Sequence, residues 1–550
     1  MTDFNKFKVP DRVNNKYKKP VAYFCMEFGI DQALKIYSGG LGYLAGSHMR
    51  SAYDLKQNLI GIGILWKYGY YDQERSADNQ MAANFREKFY SFLQETGIKF
   101  TITIDKHDVW VKAMYLAPEV FGTAPLFFLS TEVPENDWLS HTIVHKLYDN
   151  NPSTKIAQNM LLGIGGVKLL EALHWEPEVY HMNEAHALSG AFYLYEKWEN
   201  IDKVKEKFVF TTHTPVPAGN EVHDINLLDG MSFFGNLPLE EVKKVSEEHG
   251  NAFNHSLAAL RMSHKANGVS KIHGEVAREM WGSYPHIAPI THVTNSQNWK
   301  YWADPELNTA LEKNKDKEFK SRKNEMKKRL FEIVADQNGK LFKEDVITIV
   351  WARRFADYKR ADLITRDKER FLKILNNSKY PVQIIWAGKP YPTDFHAVST
   401  FNSLVNLSKN HPNLAVLTGY ELALSKALKQ GSDVWLNNPR IPREASGTSG
   451  MTAAMNGSVN FSTHDGWIPE FSHHGINCYT LPPADPAWPI QEQDRFDLEN
   501  LYRILEDEIL PTYYDKPKQW LEVVKQSMTD IKPFFDSDRM ATEYYEKMYE

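Results

Sequence analysis

The sequence predicts an α/β protein made of two doubly wound lobes, and three observations carry that prediction. At 550 residues the chain is too long for one ordinary core; at about 150 residues per domain it suggests roughly three to four units, or two large α/β ones. Short apolar, β-rich strings alternate with helical patterns through both halves, the rhythm of a parallel sheet covered by helices. Charged residues make up 24% and hydrophobic ones 42%, close to the soluble globular average, which excludes disordered, collagen-like and coiled-coil chains.

In the first half the strand candidates are Val21–Phe24, Leu59–Trp66, Val179–Met182, Phe208–Thr211 and Ile290–Val293. Between the first two, Leu41, Leu44, Ala45, Met49, Ala52 and Leu55 recur at the helical period. Over 98–114 the texture changes: Phe100, Ile102 and Ile104 alternate with polar residues before Val109 and Val111, which predicts an antiparallel hairpin inserted in the lobe. The stretch 301–345 is charged and poor in strands, and 313–333 predicts a solvated surface helix joining the halves. Beyond it strands are expected at Val346–Trp351, Val382–Ala387, Leu414–Leu417, Asp433–Leu436 and Val459–Phe461, with helices near 361–376, 395–408, 420–430 and 497–510. The resulting division is a first lobe over 1–300, a connecting helical segment over 301–345, a second lobe over 346–525 and a C-terminal helix over 526–550. Ligands of such sheets bind beyond the carboxyl ends of the strands, and two facing lobes make a cleft.

Lys+Arg is 64 against Asp+Glu 70, a net charge of −6, which provides no footprint for nucleic acid. Two cysteines, Cys25 and Cys478, make neither a disulfide framework nor a Cys-rich zinc site, and point to a reducing, cytoplasmic setting. The opening residues lack the apolar stretch of a signal peptide, and the most apolar strings fall short of the ~20 residues of a membrane span, so no membrane partner is expected. Aromatic residues reach 13%, with 14 Trp; most serve cores, although sugar clefts use the same faces.

Four motifs carry chemistry. Ser38-Gly39-Gly40-Leu41-Gly42 opens a helix, where backbone N–H groups can approach an anion. Arg353, Arg354, Lys359 and Arg360 follow a buried strand at a place where helix dipoles disfavour cations, so some of them are expected to grip an anion. In Arg443-Glu444-Ala445-Ser446-Gly447-Thr448-Ser449-Gly450-Met451, hydroxyls and backbone N–H groups can cradle a phosphate or sugar while Glu444 accepts from sugar hydroxyls. His213, and His181 with Asn183, Glu184 and His186, follow strands at the ligand edge. The i, i+5 spacing of His181 and His186 does not stack on a helix, and no metal is expected.

Taken in order, YFCMEFGI (23–30), YSGGLGYLAG (37–46), HMNEAH (181–186), FTTHTPVPAGN (210–220), NGVSKIHGEV (267–276), RRFADYKRA (353–361), DVWLNNPR (433–440) and EASGTSGM (444–451) resemble the α-glucan phosphorylases, the glycogen, starch and maltodextrin enzymes, especially their shorter bacterial branch. The resemblance implies a GT-B fold, two Rossmann-like lobes facing a cleft, with the C-terminal helix often crossing back to the first lobe. It implies retaining transfer of a glucosyl unit between phosphate and an α-1,4-glucan, with the first lobe on the glucan side and the second on the phosphate side. Phosphate contacts carry over to Gly40, Arg354, Lys359, Gly447 and Thr448, and glucose contacts to His213, Asn295, Glu444, Ser446 and Gly447. Tyr358 lines the same pocket, and Gly39 and Leu41 flank it. Arg354, Lys359, His213 and Glu444 are the candidate catalytic set. Members are often homodimers.

The family cofactor is pyridoxal phosphate, held as an imine by a Lys after the Met of EASGTSGM, so that Arg353, Thr448, Ser449 and position 452 would face it. Here position 452 is Thr, and no Lys occurs from 444 to 470. A hydroxyl forms no imine. Thr294-Asn295-Ser296 also departs from the usual Gly after Asn. Three readings stay open: a glucan phosphorylase with non-covalent pyridoxal phosphate, a pyridoxal-independent glucosyltransferase using a sugar nucleotide or sugar phosphate, and a non-catalytic glucan-binding relative.

Overall fold

The computed structural model describes residues 2–10, 12–247 and 250–550. The chain divides into two compact units. The first comprises Met1–Tyr71, Phe85–Asn295 and Ser537–Glu550, and the second Asp72–Asn84 and Ser296–Asp536.

The first unit is built on a nine-stranded sheet in the order Ile290–His292, Lys265–Gly268, Phe208–Thr211, Val179–Asn183, Val21–Phe24, Leu59–Ile64, Leu126–Ser130, His107–Leu116, Gln94–Ile104. The first seven run parallel and the last two are added antiparallel at one edge. Val21–Phe24 and Leu59–Ile64 are buried at every position, as strands covered on both faces must be. On the edge hairpin burial alternates instead: Val109 and Val111 point inward while Trp110 faces out. The helix Gly40–Asp54 buries Leu44, Ala45, Met49 and Ala52. The last residues of the chain are part of this unit. Tyr549 donates to His181 or accepts from it at 2.7 Å, Ser537 and Ser51 share a hydrogen bond of 2.6 Å, and Gln57 Nε2 donates to Ala541 O at 3.0 Å.

The second unit has a six-stranded, all-parallel sheet: Leu414–Leu417, Val382–Ala387, Ile347–Ala352, Val434–Asn437, Val459–Ser462, Tyr479–Thr480. A small antiparallel ribbon, Asp72–Arg75 with Met81–Asn84, belongs to this unit although it lies early in the sequence. Gln73 anchors it, donating to Gly388 O at 2.8 Å and accepting from Gly419 N at 3.1 Å, just past the ends of two sheet strands. The two parallel sheets give the α/β class that the sequence predicts, and they are those of a GT-B-like fold.

The charged helix of 313–333 departs from expectation. It runs over Asp316–Asn338 and is not a solvated rod: Phe319, Met326, Leu330, Phe331 and Val334 are buried. Two of its lysines go in with them. Lys327 Nζ donates to Asp433 Oδ2 at 2.7 Å and to Val346 O at 3.1 Å, and Lys323 Nζ donates to Gln430 O at 2.7 Å and Asn456 O at 2.9 Å. Their charge hid the apolar row in the sequence, because a Lys that finds carbonyl and carboxylate acceptors can be enclosed.

Candidate active site

In the second unit the site is assembled by three loops at the carboxyl ends of parallel strands. The first leaves Ile347–Ala352 and carries Arg353, Arg354, Tyr358 and Lys359; Lys359 closes the short helical turn Asp357–Lys359. Gly388, after Val382–Ala387, is required at its place because a Cβ there would lie 1.9 Å from Arg353 O. The second loop carries Glu444 to Thr448 and runs into the helix Ser449–Ala454. The third is Asp465-Gly466, where Gly466 has φ +61 and an added Cβ would meet Ser446 O at 2.3 Å.

These loops converge on Glu444. Arg353 Nη2 donates to Glu444 Oε2 at 2.9 Å, and Lys359 Nζ lies 3.3 Å from the same oxygen. Burial opposes ionisation of Glu444, but Lys359 and Arg353 outweigh it and hold the carboxyl below its usual range. Lys359 is pulled down to about 7, by burial first and by Arg353 next, against the attraction of Glu444. Asp465 supports the loop from behind, its Oδ2 accepting from Glu444 N and its Oδ1 from Gly466 N, both at 2.9 Å; burial raises its carboxyl to about 7. Arg353 Nε and Nη1 and Ser446 Oγ are buried without hydrogen-bond partners. The cluster therefore holds more positive charge than Glu444 answers, together with donors left over, and can receive an anion.

Arg360, the fourth cation of the motif, does something else. Its guanidinium is enclosed by Asp494 at 2.9 Å, Asp497 at 2.7 Å and the carbonyls of Asn438 and Pro439. It ties the basic loop to the helix Ile490–Ile504.

In the first unit, Val179–Asn183 and Phe208–Thr211 are neighbours, with Asn183 in register with Thr211, so Glu184 and His213 emerge side by side. His213 Nε2 donates to Asn183 Oδ1 at 2.7 Å, and its backbone N–H donates to Glu184 Oε1. Thr214 Oγ1 adds a hydrogen bond to that oxygen at 3.3 Å. Burial lowers His213 to about 3, leaving it neutral, and raises Glu184 to about 7. Glu184 has φ +67 and ψ 172, a conformation costly for any side chain with a Cβ and concentrated at functional sites. Asn295, in the same unit, has its Oδ1 buried without a partner.

The glycine loop meets a carboxylate of its own unit. Its first N–H groups serve the chain's own carboxylate: Ser38 N donates to Glu27 Oε2 at 2.6 Å and Gly39 N at 3.2 Å, with Tyr148 OH on Glu27 Oε1 at 2.7 Å. Gly39 N is thus engaged by Glu27, and Gly40 and Leu41 begin the helix Gly40–Asp54. His181 is likewise structural, fully buried between Tyr549 OH and Thr211 Oγ1 at 2.7 and 2.8 Å.

Position 452 is inside the fold. Thr452 is 1% exposed, and its hydroxyl donates to Ser449 O at 3.0 Å. Ser449 Oγ in turn accepts from Trp435 Nε1 at 3.3 Å. Neither side chain offers an amine or an open wall, so these residues do not fit an imine-held pyridoxal phosphate.

The sequence pattern of the carbohydrate phosphorylases matches residues 290–473. A maltodextrin phosphorylase of Thermococcus litoralis is 35% identical over 594 residues, covering 97% of this chain and 71% of its own. The chain belongs to the carbohydrate phosphorylase family. A glycogen phosphorylase of Aquifex aeolicus is 31% identical over 611 residues, covering 98% of this chain and 87% of its own. An uncharacterized protein of Methanocaldococcus jannaschii is 45% identical over 532 residues and is matched along its whole length. The family relationship extends over both units of this phosphorylase-family chain.

Sequence reasoning missed Asp465 and the pairing of Arg353 with Glu444. The Asp-Gly step just past a strand was a signal for the first; the second joins residues 91 apart in the chain and has no local signature.

Proposed function

We propose that this chain is a retaining glycosyltransferase that moves glucosyl units between a phosphate-bearing donor, glucose-1-phosphate, and an α-1,4-glucan. The observation that carries the reading is the buried cluster of Arg353, Lys359 and Glu444, with Arg353 Nε, Arg353 Nη1 and Ser446 Oγ left without partners. A dianionic phosphate is the ligand such a cluster suits, and the maltodextrin and glycogen phosphorylases among its relatives support the glucan.

In this reading Arg354 and Lys359, with Gly447 and Thr448, hold the phosphate, and the unpartnered Nε and Nη1 of Arg353 donate to it as well. Glu444, Tyr358 and Ser446 contact the sugar, and His213 and Asn295 are the first unit's own candidate sugar residues. As the glycosidic bond to phosphate breaks, negative charge grows on the departing oxygens, and donors fixed beforehand stabilise it without reorganising. Lys359, poised near 7, gains a proton when the phosphate arrives, because the new negative charge raises its affinity for one. Asp465 fixes the backbone of Glu444. Pyridoxal phosphate supplies proton transfer to the substrate phosphate in the family, and the residues here do not fit its imine.

The absent amine at Thr452 favours a second reading, transfer from a sugar nucleotide whose diphosphate takes the same cations. A donor screen separates the two. Glucose-1-phosphate and the common sugar nucleotides are each incubated with maltooligosaccharides, with and without pyridoxal phosphate, and chain extension is measured. Extension from glucose-1-phosphate alone supports the proposal, extension only from a nucleotide supports the second reading, and none from any donor leaves a glucan-binding relative.

A further inference from the structure

The interior that Asn456 and Trp302 share with Thr452 holds an amine that the sequence motif does not announce. Lys429 lies near the end of the helix Leu422–Gly431, is 1% exposed, and places its Nζ 4.0 Å from the centroid of the Trp302 ring. Burial takes its pKa well below the ordinary lysine value.

Three connections put this amine and Thr452 in one packet. Asn456 Nδ2 donates both to Thr452 O at 2.8 Å and to Trp302 O at 2.9 Å. Lys323 Nζ, reaching in from the long helix Asp316–Asn338, donates both to Gln430 O, beside Lys429, and to Asn456 O. The helix Leu422–Gly431 also packs on the helix Ser449–Ala454. Trp302, Lys429 and Thr452 are each only 1% exposed, whereas a pyridine ring is far larger than water. Lys429 Nζ and the Trp302 ring thus occupy the interior that Asn456 links to residue 452, and interiors packed to native density do not yield room for a cofactor cheaply.

We propose that Lys429, lying on Trp302, is a plug that keeps pyridoxal phosphate out of the interior beside Thr452. The mismatch with the family cofactor is then one of space as well as chemistry: the motif lacks its amine, and a different amine fills the volume. The proposal rests on the family relationship and is independent of which donor the enzyme uses.

The test reads cofactor uptake, not activity. Wild-type protein, Thr452→Lys, Lys429→Val and the double variant Thr452→Lys/Lys429→Val are incubated with pyridoxal phosphate and reduced with borohydride. In a competent pocket the amine on residue 452 attacks the aldehyde carbon, water leaves, and borohydride delivers hydride to the imine carbon, leaving a stable secondary amine. Pyridoxyl-lysine is mapped by peptide mass, so that labelling of surface lysines is told apart. The proposal expects a stoichiometric adduct on residue 452 in the double variant, none there in Thr452→Lys alone, and none on Lys429 in the wild type. It is overturned if Thr452→Lys alone takes up as much cofactor as the double variant, if the double variant, folded by circular dichroism, takes up none, or if the wild type is trapped on Lys429. The single Thr452→Lys arm keeps the test decisive if the double variant does not fold.

Discussion

Two loops in this molecule looked alike in sequence and meet different charged neighbours. Ser38–Gly42 in the first unit and Glu444–Gly450 in the second both set glycines and hydroxyls before a helix after a buried strand. In the first, Glu27 of the same unit takes the N–H groups of Ser38 and Gly39 together with Tyr148 OH, so those two donors are satisfied from within. In the second, the carboxylate that enters, Glu444, meets Arg353 and Lys359, with Arg354 adjoining in the chain, and leaves donors of Arg353 and Ser446 over. The balance of fixed charge differs between the two: a lone carboxylate among neutral donors in the first, a carboxylate facing two cations in the second.

The largest expected effect breaks the second loop. Glu444→Gln leaves Arg353 buried without its counter-charge, and the variant is expected to lose about 3 kcal/mol of stability in chemical denaturation. The same change removes competition for the cations, so inorganic phosphate should bind it more tightly than it binds wild type. Lower stability with unchanged or weaker phosphate binding would make Glu444 a sugar or scaffold residue only. Glu27→Gln is the matched experiment in the first loop. Weakening charge-assisted hydrogen bonds there is expected to cost about 1.5–3 kcal/mol and to leave phosphate affinity where it was; altered affinity would mean that the glycine loop serves the anion after all.

Glu184 sharpens the comparison through pH. Its carboxyl, raised by burial from 4.5 to about 7, binds a proton more tightly folded than unfolded. The stability tied to that proton is full below about pH 4.5 and is lost as pH rises through 7. Glu184→Gln should therefore match wild type near pH 5 and exceed it by about 1–3 kcal/mol at pH 8. Equal stability at pH 8 would place an ionised Glu184 in the native fold. The smallest effect belongs to Lys359. At pH 8 it is largely neutral, and phosphate binding should draw a proton onto it. Calorimetry in two buffers of different ionisation enthalpy should register uptake at pH 8 and almost none at pH 6.

Most strands of both sheets were legible because parallel strands buried on two faces read as unbroken apolar runs, as in Ile347–Ala352 and Val382–Ala387; Leu126–Ser130, Lys265–Gly268 and Tyr479–Thr480 were not among the strands expected. What was not legible depends on pairs distant in the chain. Lys323 and Lys327 marked their helix as solvated until their acceptors at Gln430, Asn456 and Asp433 were in place. The early ribbon Asp72–Asn84 joins the second unit through Gln73, whose partners Gly388 and Gly419 lie more than three hundred residues on. At the site, the basic motif announced an anion, but it did not reveal that Arg360 is spent on Asp494 and Asp497 while Arg353 faces Glu444.

The central claim is that Arg353 and its neighbours bind a donor's phosphate. Titration of glucose-1-phosphate into wild type and Arg353→Ala, with circular dichroism to show that the fold is kept, tests it most directly. Loss of a charged hydrogen-bonding contact predicts affinity lower by about tenfold or more in the variant. Equal affinity in a folded variant would contradict the account.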